Sequence, residues 1–203
     1  MMKRMLAAAL VMIGMSAFPL AQAAQPKVIG EWELTTLSPV GESTNTVEFK
    51  LDGETFKAIA KSAQGGEVLQ SGHAYVAPGN HHLVVERFGL QLKTALRDGP
   101  PVHYQRPAVD VLFQSATRLK GVPMVAVVLT GMGADGADGL LALRKAGAQT
   151  IAEDEQSCVV FGMPKEAIAR GGAMHVATLL QMPHKIAECL ERSATATTRP
   201  VAS

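Results

Sequence analysis

What this chain lacks first is an excess of charge of one sign. Its 203 residues carry 19 lysines and arginines against 18 aspartates and glutamates, a formal net charge of +1, with no long basic run. A nucleic-acid surface needs clustered Lys and Arg, so the composition argues against that class of partner. Cysteine is almost absent. Cys158 and Cys189 form no metal-ligand spacing and no CxxC pair. One disulfide is arithmetically possible, but the reading adopted is two buried free thiols. A membrane-length apolar run is missing too: the stretch from Met5 to Leu20 is interrupted by Gly14, Ser16 and Pro19 and is too short for a comfortable span. There is no internal repeat. What is present is a 47% apolar share, too high for a disordered protein and enough for one ordinary domain, or one domain with a small appendage.

The chain is organised around Val122 to Gly147. Met124 to Leu129 is a continuous valine-rich run, as expected of a parallel strand covered on both faces. Gly131, Gly133 and Gly136 then supply a sharp turn. A helix comes next, with Asp138 as the expected N-cap, an apolar stripe of Leu140, Leu141, Leu143 and Ala146, basic Arg144 and Lys145 at its negative end, and Gly147 as its stop. Asp135 and Asp138 lie in the strand–helix loop, where open α/β sheets place ligands and catalytic groups.

Residues 1–24 read as a leader: Lys3 and Arg4, a short apolar stretch, then Ala21-Gln22-Ala23, the three parts of a secretory signal peptide. That segment predicts export with cleavage after Ala23 or Ala24. Residues 25–65 read as a β-rich segment foreign to the rest of the chain, with strands at Glu31–Thr35, Thr46–Leu51 and Thr55–Ala60 and a turn at Asp52-Gly53. Gly30-Glu31-Trp32 loosely resembles the opening of small secreted β-barrels of the lipocalin kind. From residue 66 to 192 strands and helices alternate: strands at His73–Ala77, Leu83–Arg87 and Leu90–Thr94, a helix opened by Pro107, the central unit, a strand at Gln149–Ala152, a helix at Pro164–Arg170, a strand at His175–Thr178 and a helix from Pro183 to about Arg192. Strands joined through single helices imply a partial, doubly wound parallel α/β sheet. Residues 193–203 read as a disordered tail.

Two readings compete for the central loop. Gly131 to Gly136 satisfies G-x-G-x-x-G between a strand and a helix, and Glu153 stands where a ribose-binding carboxylate would. A pyrophosphate needs bare amides and the positive end of a helix, however, and Asp135 and Asp138 would put two negative charges there. The second reading rests on longer blocks: GHAYVAPG at 72–79, RPAVDVLF at 106–113, VVLTGMGADGA at 127–137 and DEQSCVVFGMP at 154–164. Together they resemble the protein-glutamate methylesterase domain of bacterial chemotaxis (CheB-type), over about residues 66–190. The resemblance implies a Rossmann-like methylesterase domain and hydrolysis of glutamate γ-methyl esters on the cytoplasmic helices of chemoreceptors, with glutamine deamidation beside it. It implies no cofactor and no metal.

The family's chemistry is a Ser-His-Asp arrangement. Asp135 matches the triad aspartate, and Met132 matches a methionine beside the active site. The bland reading of Asp135 is a turn or capping residue. The family's serine sits in a G-x-S-x-G-G turn at the start of the domain, with the histidine on the next strand, and neither is found here. Ser62, in Ser62-Ala63-Gln64-Gly65-Gly66, only echoes that turn, ten residues ahead of Gly72. His73, His81 and His82 fall in blocks beyond the triad histidine, while His103, His175 and His184 read as surface or packing residues. Glu153-Asp154-Glu155 reads as a solvated acidic turn and not a metal site. The expectation is thus the C-terminal part of a methylesterase domain, inactive alone, whose central strand keeps an uncovered apolar edge and face. Location is contradictory: the leader points outward, the family to the cytoplasm. The alternatives are a secreted β-rich binding protein, a dinucleotide-binding module, and a non-catalytic receptor-binding remnant.

Overall fold

A computed structural model describes residues 10–11, 32–33, 45–51 and 54–197. In chain order the elements are β1 (Leu10–Val11), β2 (Trp32–Glu33), β3 (Asn45–Leu51), β4 (Glu54–Ser62), β5 (His73–Val76), β6 (His82–Phe88), β7 (Gln91–Arg97), α1 (Val109–Ala116), β8 (Val125–Val128), α2 (Ala137–Lys145), β9 (Gln149–Glu153), α3 (Met163–Ala169), β10 (His175–Ala177) and α4 (Met182–Thr197).

The central sheet runs β1-β8-β9-β10. β8, β9 and β10 are parallel, with Val127 opposite Ile151 and His175 opposite Ile151 on the other side. Each crossover is a single helix, α2 and then α3, as parallel neighbours require. Side-chain alternation divides β8 between two cores. Ala126 and Val128 join Val109, Phe113, Leu140, Leu143, Met163 and Ala167 from α1, α2 and α3. Val125 and Val127 join Ile151, Ala177, Met182 and Cys189, the last two from α4. A strand covered on both faces has no polar face, which is why its sequence is an unbroken apolar run. Phe113, Leu140 and Leu143 are fully buried, each contributing about 1.5–3 kcal/mol of transfer free energy.

The mixed α/β architecture agrees with the sequence reading, and several details correct it. The central strand is not uncovered: Val125, Ala126 and Val128 have no exposed surface, and Leu10–Val11 pairs antiparallel with Val125 and Ala126 on its edge. β4, in the β-rich segment, pairs in parallel with β5, Ile59 opposite His73. α1 begins at Val109, two residues after Pro107, with Ala108 in extended conformation as N-cap. α2 is capped by Gly136 and not by Asp138, which lies in the first turn. Gly136 has φ 86°, and a Cβ there would lie 2.7 Å from Val109 Cγ1, so both the conformation and the approach of α1 demand glycine. α4 continues to Thr197, so its last turn runs into the stretch expected to be disordered; residues 198–203, and the leader apart from Leu10 and Val11, lie outside the described residues. Among those described, no helix is long and apolar enough to cross a membrane.

Candidate functional site

The loop after β8 carries Met132 and Asp135 to the carboxyl end of the sheet. Its first residues are fixed by the loop after β9: Gly131 N–H donates to Val160 O (3.1 Å), and Met163 N–H donates to Gly131 O (2.8 Å). Glu153, at the end of β9, is fully buried. It accepts hydrogen bonds from Thr130 N–H at 2.7 Å and from Ser157 Oγ–H at 3.0 Å. Glu153 is therefore not part of a solvated acidic turn. Nor is its carboxylate turned outward for a ribose, because both oxygens clamp the neighbouring loops. Asp154 accepts from Ser157 N–H (2.9 Å), and only Glu155 of the three is exposed. Beside them the Cys158 thiol is pushed up to about 11 by burial and then by the charge of Glu153. Both cysteines are free.

Asp135 is 1% exposed. Its Oδ2 accepts from Val109 N–H (2.8 Å) and its Oδ1 from Asp110 N–H (2.9 Å). Ala108 has no side-chain oxygen with which to cap α1, so a carboxylate from a distant loop does it. The negative charge sits at the positive end of the helix, where it is favoured. The amide before these two, Ala108 N–H, donates to His82 Nδ1 (3.2 Å), while His82 Nε2 donates to Pro100 O (3.1 Å). His82 is thus a buried structural histidine, its tautomer fixed by those two bonds.

Asp135 also lines a cleft of about 280 Å³ with His103, Tyr104, Gln105, Met132, Gly133 and Ala134. Met132 is 65% exposed on its wall. The opposite wall is a tight turn in which Val102 and Gln105 exchange backbone hydrogen bonds of 3.0 and 2.9 Å. Its two central residues, His103 (φ 50°) and Tyr104 (φ 62°), are both left-handed. This is a type I′ geometry, which favours Asn and Gly and costs other residues of order 1–2 kcal/mol each.

The turn delivers His103 Nε2 to 3.0 Å from Asp110 Oδ2, and Asp110 Oδ1 accepts from Gly139 N–H at the head of α2 (2.6 Å). Burial, and then the charge of Asp135, raises the Asp110 carboxyl above its ordinary 3.8, against the lowering effect of its hydrogen bonds. Asp138 pairs with Arg170 at 2.6 Å. One ligand-type atom each from His103, Asp110 and Asp138 lies within 4.8 Å of the others.

The structure thus brings Asp135 and Met132 to one cleft and places His103 across from them. Sequence alone reads His103 as a surface or packing residue; it is exposed, and its contact with Asp110, seven positions on, is set by the turn geometry. The other histidines are elsewhere: His73 Nδ1 lies 3.2 Å from Ser71 O, His81 pairs with Asp98 at 2.7 Å, and His175 lies 3.4 Å from Gln149 Oε1. His184 is an exposed residue of α4. Ser62 ends β4, opposite Val76 of β5, and so lies in a ladder and not in a nucleophile turn.

Comparison with known proteins gives one consistent result. The family model described as CheB methylesterase matches residues 49–186, beginning inside β3 and upstream of residue 66. A protein-glutamate methylesterase/protein-glutamine glutaminase 1 of Geobacter metallireducens is 56% identical over 131 residues, 64% of this chain and 36% of that protein. A protein of the same description from Methylobacillus flagellatus, without the numeral, is 52% identical over 134 residues, 66% of this chain and 38% of that one. The chain spans a little over a third of the length of these relatives. The crystal structure of the Thermotoga maritima CheB methylesterase catalytic domain superposes with a TM-score of 0.60 at 38% identity, covering 63% of this chain and 68% of that domain. Because the family model matches well over half of the chain, this chain belongs to the CheB methylesterase family.

Proposed function

We propose that this chain carries the aspartate-bearing, C-terminal part of a chemotaxis methylesterase domain, that Asp135 stands in the triad-aspartate position with Met132 beside it, and that the chain has no turnover by itself. The observation that carries this reading is the composition of the cleft. Asp135 and Met132 line it with His103, and among the described residues no serine lines it. His103 is bonded to Asp110, while both Asp135 oxygens accept backbone amides. The imidazole in the cleft is bonded to Asp110 and not to Asp135, and among the described residues the cleft offers no serine for such a pair to activate.

The substrate class follows the family: γ-methyl esters of glutamate on the cytoplasmic helices of chemoreceptors. The domain organisation follows the sequence: a leader over 1–24, a β segment over 25–65 joined through β4 to a methylesterase part over 66–192, and a C-terminal tail. The test is to incubate the full chain with membranes bearing methylated chemoreceptors and to measure methanol release and co-sedimentation together. No methanol release is expected; turnover that Asp135→Ala abolishes would overturn the proposal. Co-sedimentation without methanol release identifies a non-catalytic receptor-binding role. Exposed Met132, Val160 and Leu180, all in loops at the carboxyl ends of the strands, favour that role.

A further inference from the structure

We infer that His103, Asp110 and Asp138 form a binding site for one borderline divalent cation of the Zn²⁺ class, at the wall of the cleft that holds Asp135. The three come from separate elements, the turn at 102–105, the first turn of α1 and the first turn of α2, and each offers one ligand atom within 4.8 Å of the others. Imidazole nitrogen and carboxylate oxygen are both zinc ligands, and three protein ligands leave coordination positions open. His103 Nε2 and Asp110 Oδ2, 3.0 Å apart, would subtend roughly 95° at an ion bound at about 2.0–2.1 Å. A tetrahedral angle asks for only about 0.3 Å more separation. Asp138 is exposed and would close the remaining distance by turning about its Arg170 contact.

Each carboxylate already has the outer support that metal ligands need. Asp110 Oδ1 is held by Gly139 N–H and Asp138 Oδ1 by Arg170; an ion would take the second oxygen of each, replacing the His103 Nε2–Asp110 Oδ2 hydrogen bond with two metal–ligand bonds and releasing its proton. The charge balance points the same way. Asp110 and Asp135 are both buried, and among the described residues neither has a lysine or arginine partner. Arg170 is shared between Asp138 and Glu166. A divalent cation held by His103, Asp110 and Asp138 would bring positive charge beside the buried Asp110 and Asp135 carboxyl groups. Because His103 also lines the cleft, the open positions of the ion face the space beside Met132 and Asp135.

The experiment titrates ZnCl2 into the full chain by calorimetry at neutral pH and repeats the titration with Co²⁺, whose visible bands report the ligand field. One ion per chain is expected. His103→Gln and Asp138→Asn should each weaken binding by at least ~10-fold, while His81→Gln, removing the exposed imidazole paired with Asp98, should leave it unchanged. Both ligand substitutions are at exposed positions, so the fold is retained and a loss reports the site. A wild-type chain that binds no ion, or a His103→Gln chain that binds as tightly as wild type, overturns the inference. Neither result bears on methanol release, so this site and the proposed function fail separately.

Discussion

Replacing Asp135 with alanine removes the acceptor of two buried amides at once. Val109 N–H and Asp110 N–H both donate to that carboxylate, and the N-cap residue, Ala108, has nothing to offer in its place. A buried amide left unpaired costs about 1–3 kcal/mol, and losing a charge at a helix N-terminus adds about 0.3–1 kcal/mol. Two effects offset part of this. Water can reach the vacated space from the cleft, and Asp110 loses the neighbour whose charge raises its carboxyl. The expected net loss is about 3 kcal/mol, read as a lower urea midpoint at unchanged slope. Asp135→Asn keeps one carbonyl acceptor but turns an amide donor toward the second N–H, so about half that loss is expected. The double variant Asp135→Ala with Ala108→Ser tests the cause. Ala108 is extended, at φ −118° and ψ 140°, the conformation in which a serine hydroxyl accepts from the second helical amide. Serine should restore about 1 kcal/mol in the alanine background and far less in wild type, whose amides are already paired. A loss below about 1 kcal/mol for Asp135→Ala, or an equal effect of serine in both backgrounds, would refute the capping account.

The packing and the ionisable groups give three further expected outcomes. Gly139→Ala should destabilise by about 1–3 kcal/mol despite alanine's better helix propensity, because its Cβ would lie 2.6 Å from Phe113 Cβ and 2.9 Å from Asp110 Oδ1; a raised thermal midpoint would show that the α1–α2 contact yields easily. Since the folded Asp110 carboxyl is raised above its ordinary 3.8, its contribution is fully present below that pH and is lost as pH rises through the folded value. The stability of wild type relative to Asp110→Asn should therefore fall with rising pH over that window in urea titrations, and a flat or rising difference contradicts it. Cys158, raised from 9.0 to about 11, should be alkylated by iodoacetamide at neutral pH about a hundredfold more slowly than in the urea-unfolded chain; equal rates would show that the thiol is not held as described.

How far the sequence can be read depends on the range of the interaction involved. The unit from β8 through α2 is legible because its signals are local. An apolar run with no polar face reports burial on both sides, and a helical stripe ending at Gly147, which takes φ 94°, reports a helix and its stop. Sequence misleads where the deciding partner is distant. Asp138 has the right side chain for an N-cap, but Gly136 begins α2 and Asp138 turns to Arg170. Asp135 does cap a helix, though not the one directly after it: the helix it serves lies 26 positions upstream, and no short-range pattern links the two. Glu153 continues an apolar strand by one residue into a run of acids. Composition favours solvent there, while the strand's inward course and the waiting Thr130 N–H and Ser157 hydroxyl decide for burial. β4 and β5 fall into different segments on sequence grounds because alternation identifies strands but not which strands pair.

The same distinction bears on the site itself. The proposed triad-aspartate position of Asp135 rests on resemblance between sequence blocks, which are silent on what its oxygens touch. Here each oxygen accepts one amide and retains a second lone-pair direction. A carboxylate pinned by two amides at a helix terminus is fixed in orientation before any imidazole approaches, so capping α1 and orienting a catalytic histidine are compatible tasks for one side chain. Loss of activity on substituting this aspartate, in any longer relative with the same α1 contact, therefore does not by itself identify a catalytic role. Stability must be measured beside turnover. A variant that loses turnover while an added Ala108→Ser-type cap restores its fold separates the two, because the serine can satisfy an amide but cannot orient an imidazole.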